Sequence, residues 1–219
     1  MNYPAALFSS AVLLGSLLLA ALLLGLAVWR VRWRTVTASA LNAWLGGTVL
    51  VMALWMLKGG FQPGLAFHLL GAVELTLMMG PWLALLAMAV VVLAQAAVGN
   101  GDWLSAGLNW LVMGALPVSL AGGVLAAARR WLPANVFVYI FVNGFLAGGA
   151  SFFFTGLAGV SVLALAHAYP AEALYFDELP YYFLMSWSEA FLTGFVTVIL
   201  VVYFPQWMAT FDDSRYLKS

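Results

Sequence analysis

SAVLLGSLLLAALLLGLAVW, from Ser10 to Trp29, contains no charged side chain and puts apolar residues on every face of a helix. Twenty residues rise ~30 Å as an α-helix, about the thickness of a bilayer's hydrocarbon core. A helix is also the one single segment that satisfies its own backbone polar groups in lipid. A barrel strand would instead be short and alternate apolar with polar residues. Working outward, runs of similar length and character recur to the end of the chain. With 65% hydrophobic and 7% charged residues and a mean hydropathy of +1.04, the solvent is the membrane. The chain reads as an all-α polytopic membrane protein forming a single integral membrane domain over residues 1–219. The first run is too long for a signal-peptide core and passes through TVTASALNAW into another span, so it is expected to stay as an anchor.

Zero cysteines exclude disulfides, thiolate metal sites and cysteine nucleophiles. Eight basic residues balance eight acidic ones, which gives no ground for nucleic acid as a partner. There is no Gly-rich phosphate loop, no HExxH and no serine with a nearby base, so an enzyme is not expected. No internal repeat is visible.

Apolar runs between charged or Pro/Gly-rich breaks predict seven spans, near 7–29, 38–57, 65–79, 82–98, 104–127, 135–166 and 183–204. The run 135–166 reaches ~48 Å at ~1.5 Å per residue, too short for two spans and a turn. Gly148 and Gly149 at its middle predict one tilted or kinked helix. Arg30, Arg32 and Arg34 follow the first span, Arg129 and Arg130 the fifth, and Arg215 and Lys218 lie in the tail. The positive-inside rule makes these three ends cytoplasmic, with the N-terminus outside and the C-terminus cytoplasmic. The acidic stretch HAYPAEALYFDELPYY (167–182) is then an outer loop, where His167, Glu172, Asp177 and Glu178 either collect cations or are merely solvated.

Polar residues inside the spans are the candidates for function. If 65–79 is a helix, His68 shares a face with Gly71, Ala72, Leu75 and Met79, near the outer end. Glu74 then points ~120° away and ~9 Å deeper. His68 is either an interfacial histidine bonded to a loop or an imidazole ligand met first by a cation arriving from outside. Glu74 and Glu189 would each cost several kcal/mol if left unpaired in an apolar helix. Each is expected to be neutral or paired by Asn, Gln, Ser or Thr from another helix, with Gln95, Asn109 and Asn143 as candidate partners. Ser186, Thr193 and Gly194 line a small-residue stripe with Glu189, which points to packing or partner contact rather than metal binding. Glu74 is a deeper acid facing another helix, able to exchange its proton for a cation. Met52, Met56, Met78, Met79 and Met113 carry soft thioethers that suit Cu(I) when joined by imidazole, and methionine is equally an ordinary core filler.

Three stretches carry a family resemblance. They are FHLLGA followed by MMGPWLALLAMAVVVLAQA, then GLNWLVMGAL with a Gly-x-Asn-x-x-x-Met-Gly pattern, and more weakly SEAFLTGFVTVIL. From Gly64 to Pro133 the chain resembles the substrate-binding membrane components of energy-coupling-factor transporters for cobalt and nickel, the CbiM/NikM type. The resemblance implies seven spans with the N-terminus outside, in a bacterial cytoplasmic (inner) membrane. It also implies partnership with a transmembrane coupling protein and ATPase subunits. It implies a metal held by the N-terminal amine, a histidine at position two and the histidine of His-Leu-Leu-Gly. Carried over by position, the site is Met1, Asn2 and His68, with Asn2 where the family has histidine. Glu74 stands where the family usually has a small apolar residue, so a lost nitrogen and a gained carboxylate would together shift the site toward another divalent ion. The expected function is capture of a divalent transition metal, cobalt, nickel or another, with no intrinsic cofactor. The alternative is a noncatalytic membrane scaffold that keeps the fold, and an organic-ligand permease ranks third.

Overall fold

The structure is a computed structural model and describes residues 2–60 and 62–217. Its principal helices are α1 (Ser10–Arg30), α2 (Ala38–Met56), α3 (Ala72–Met79), α4 (Pro81–Ala97), α5 (Ala106–Trp131), α6 (Val136–Leu165) and α7 (Ala173–Tyr203), followed by a short α8 (Asp213–Tyr216). Among the described residues the extended structure amounts to one isolated bridge, Gly59 to Phe67. Helices α1, α2, α5, α6 and α7 are long and apolar enough to cross a membrane. Their outer faces carry rows such as Leu14, Leu18 and Leu22 at helical spacing, all exposed. Such a surface suits lipid rather than water, and the protein is a multi-pass membrane protein.

The helix starts follow local chemistry. Ser9 caps α1 by accepting from the Val12 N–H, Thr37 caps α2 through the Ala40 N–H, and Asn135 caps α6 through the Phe137 N–H. Pro81 opens α4, where its missing N–H is no loss.

The expected third span is corrected by the structure. Only Ala72–Met79 is helical, so residues 65–71, including His68, are not on a helix. His68 therefore shares no helical face with Gly71, Ala72, Leu75 and Met79. The cause is local: Gly71 has φ +66°, in the left-handed region, and a Cβ there would sit 2.7 Å from Val51 Cγ2. The Glu189 carboxylate then accepts the N–H groups of Leu70 and Gly71 at 2.9 and 2.8 Å, which replaces the hydrogen bonds that a longer helix would supply. Unwound backbone at membrane depth is tolerated where protein covers it, and Leu65, His68 and Leu70 are all buried.

The expected outer loop is corrected as well. The chain becomes helical again at Ala173, so Asp177 and Glu178 lie in the first, π-wound turns of α7. Helix α6 runs unbroken, and its irregularity is a π segment at Tyr139–Leu146, ahead of the glycine pair. Gly148 and Gly149 serve close packing instead. A Cβ on Gly148 would meet Thr193 Cβ at 3.0 Å, and one on Gly149 would meet Ala190 Cβ at 3.2 Å, both on α7.

Helix α3 lies at the centre, touching α2, α4, α5, α6 and α7, with most of its side chains buried. Its far end is capped by the tail. The Ala209 N–H donates to the Met78 carbonyl at 2.8 Å, and Thr210 Oγ1 donates to the Leu77 carbonyl at 2.6 Å. Arg129 Nη2 in turn donates to the Thr210 carbonyl at 2.6 Å.

Candidate metal site

The segment before α1 is drawn into the bundle. The Tyr3 N–H donates to Asn109 Oδ1 at 2.8 Å, and Asn109 Nδ2 donates back to the Tyr3 carbonyl at 3.1 Å and to Ser105 Oγ at 3.0 Å. One amide side chain thus imitates a strand partner for the arm, and the Tyr3 ring is fully buried behind it. The Ala5 N–H donates to Asp102 Oδ2 at 3.0 Å, and Asn2 Nδ2 donates to the Asn100 carbonyl. Helix α5 can lie close enough to α1 because Gly107 has no Cβ; one would fall 2.7 Å from the Leu17 backbone.

His68 is presented by the unwound segment. Paired hydrogen bonds between Gly59 and Phe67 fix the strand before it, and the Glu189 carboxylate holds the two N–H groups just after it. Trp55 closes the other side: its ring centroid is 4.4 Å from that of His68, and its Nε1 donates to the Leu70 carbonyl at 3.1 Å. His68 Nδ1 lies 3.1 Å from the Leu69 carbonyl.

These elements enclose a cavity of about 20 Å³ lined by Asn2, Trp55, Lys58, His68, Gln95, Asn100, Asp102, Asn109 and Met113, among others. That is room for about one water, or one ion stripped of its hydration shell. Lys58 Nζ donates to Asn100 Oδ1 at 3.3 Å, tying the α2 end to the α4–α5 loop. Gln95 Nε2 donates to the Met52 carbonyl at 3.3 Å. Both Asp102 oxygens already accept backbone N–H groups, from Ala5 and Leu104.

Of the residues singled out in the sequence, the structure brings His68, Asn2, Gln95, Asn109 and Met113 to one cavity. Met1 lies outside the described residues. Glu74 does not line the cavity. Its Oε2 accepts from Thr197 Oγ1 on α7 at 2.8 Å, while Oε1 has no partner among the described residues. The partner is thus a threonine of another helix and none of Gln95, Asn109 and Asn143. Glu189 also lies off the cavity, paired with backbone rather than with a side chain. Among the described residues, no three His, Cys, Asp or Glu side chains cluster as a metal cage. Trp55, Lys58 and Asp102 were not singled out. Nothing in their sequence neighbourhood separates them from interfacial residues in general.

Two solved structures share the fold. A crystal structure of a truncated transition metal transporter matches with a TM-score of 0.77 at 20% identity, covering 93% of this chain and 99% of that one. A crystal structure of a transition metal transporter matches with a TM-score of 0.78 at 20% identity, covering 94% and 92%. No curated protein matches the chain in a sequence search. The family model described as the cobalt uptake substrate-specific transmembrane region, CbiM, matches residues 2–207, nearly the whole chain, and the protein belongs to that family.

Proposed function

We propose that this protein is the substrate-capture component of a transition-metal uptake system, with His68 and the clamped N-terminal arm forming the site. One observation carries the reading: a cavity of ion size in which the arm's Asn2 meets the one imidazole of the central unwound segment. Size also favours an ion over the organic-ligand alternative, because drug-sized ligands occupy pockets of about 300–1,000 Å³. Family membership makes a divalent ion of the cobalt or nickel type the reference cargo. The same resemblance supports a coupling protein and ATPases as partners, a cytoplasmic membrane location and seven spans, the third made of the unwound segment 65–71 together with α3 and the fourth of α4.

His68 is the ligand to test. Purified protein is expected to bind one transition-metal ion per chain by calorimetry and elemental analysis, and His68→Ala to weaken binding at least tenfold. Retention of full affinity by the variant would move the site elsewhere. Absence of any transition-metal binding by the unaltered protein would end the capture reading and leave the scaffold alternative in its place.

A further inference from the structure

The donors around the cavity differ from those that cobalt or nickel favour. Building on the capture reading, we infer that the site is matched to a soft monovalent cation, Cu(I), with the Met113 thioether as a second ligand beside the His68 imidazole.

Three observations lead there. First, the imidazole count is low among the described residues. Position two supplies an amide in place of an imidazole, and Asn2 Nδ2 is committed to the Asn100 carbonyl. The Asn109 amide is engaged with Tyr3 and Ser105, and among the described residues the cavity keeps one imidazole. Square-planar Ni(II) and octahedral Co(II) need several nitrogen or oxygen ligands, whereas thioether and imidazole donors suit Cu(I).

Second, the wall has no surplus negative charge. Lys58 and Asp102 cancel, and each Asp102 oxygen already accepts a backbone N–H. Stripping a divalent ion of water is far more costly than stripping a monovalent one, and a neutral wall does not offset it. A single charge of soft character is the better match, and the Trp55 indole beside His68 adds a polarisable face.

Third, Met113 is placed there by a local irregularity. It lies in the π segment Leu111–Ala115 of α5, four residues after Asn109, and both line the cavity. Inserted π turns redirect side chains and are frequent at functional sites. The following Gly114 has no Cβ, and one would sit 3.0 Å from Met88 Cβ and from Trp110 Cδ1, so the segment is held tightly where it is. Met113 is 2% exposed, too enclosed to be a surface methionine.

The test compares metals on the full chain. Ag(I), a redox-stable stand-in, and Cu(I) under reducing conditions are titrated alongside Co(II) and Ni(II), with unaltered protein, Met113→Leu and His68→Ala. Ag(I) and Cu(I) are expected to bind at least a hundredfold more tightly than Co(II) or Ni(II). Met113→Leu, which keeps the volume, should lower Ag(I) affinity at least tenfold and leave any Co(II) binding within twofold. X-ray absorption on the Cu(I)-loaded unaltered protein should show sulfur in the metal's first coordination sphere, reduced by Met113→Leu. Tighter Co(II) or Ni(II) binding that depends on His68, with no sulfur near bound Cu(I), overturns this inference and leaves metal capture standing. Failure to bind any of the four metals overturns both.

Discussion

Glu189 is 1% exposed, and its two oxygens hold the N–H groups of Leu70 and Gly71 at the start of α3. It acts as an N-terminal cap supplied from another helix, placing a carboxylate at the positive end of α3. A glutamine offers one oxygen where two N–H groups converge, so one donor is left buried and unpaired. Glu189→Gln is therefore expected to destabilise the protein by about 1–3 kcal/mol. Because the residue lies off the cavity, metal stoichiometry should stay unchanged. Thermal unfolding and elemental analysis of the same preparation check both halves, and loss of metal from a well-folded variant would make Glu189 part of the site. The sequence could show that Glu189 needed a partner, since an apolar helix cannot carry a bare carboxylate. It could not show that the partner was backbone, because N–H groups become available only where a helix unwinds. Glu74 was easier, since a threonine from another helix was among the residue types expected to pair it.

At the scale of one element, α3 is the piece that periodicity misread. Eight residues at ~1.5 Å each give ~12 Å, far short of a bilayer, yet the apolar run from 65 to 79 looks like one span. Gly71 marks the true start, and its φ of +66° is cheap only for glycine. An alanine there would bring both a strained backbone and a Cβ 2.7 Å from Val51 Cγ2. Gly71→Ala is expected to cost about 2–4 kcal/mol, combining roughly 1–2 for the left-handed backbone with the rest from overpacking. Adding Val51→Ala should relieve the clash and leave the backbone strain, so the pair should recover part of the loss and not all of it. Thermal unfolding of the single and double variants measures this. Full recovery would show that conformation contributes nothing, and no recovery would show that Val51 is not the obstacle. Other element boundaries were more legible: charged or Pro/Gly-rich breaks put the starts of α2, α4 and α6 within a residue of where the structure has them. The extension of α7 back to Ala173 was hidden by Glu172, Asp177 and Glu178, whose charges read as loop.

For the whole molecule, hydropathy was enough to find every long helix, since lipid imposes a length and a composition that soluble packing does not. The cavity was only partly legible, because it depends on an arm threaded against Asn109, a contact across 106 residues of sequence. Charge distribution now gives a prediction about orientation that uses both sources. The structure gathers the basic clusters at one end: Arg30 stacks over Trp82 at the start of α4, Arg129 reaches the Thr210 carbonyl, and Arg215 Nη2 donates to the Arg129 carbonyl. The cavity, with Asn2, His68 and Asn100, lies toward the opposite ends of the helices, where Lys58 is the one basic side chain in its wall. By the positive-inside rule the arginine end is expected to face the cytoplasm and the cavity to open outward, as the proposed capture of an external cation requires. Because the chain has no cysteine, single cysteines at exposed positions report cleanly. A membrane-impermeant maleimide is expected to label Asp177→Cys in intact cells, and to label Arg34→Cys and Arg130→Cys only after permeabilisation. Labelling of position 34 in intact cells, with position 177 protected, would invert the molecule and turn the cavity toward the cytoplasm, where it could release metal but not collect it from outside.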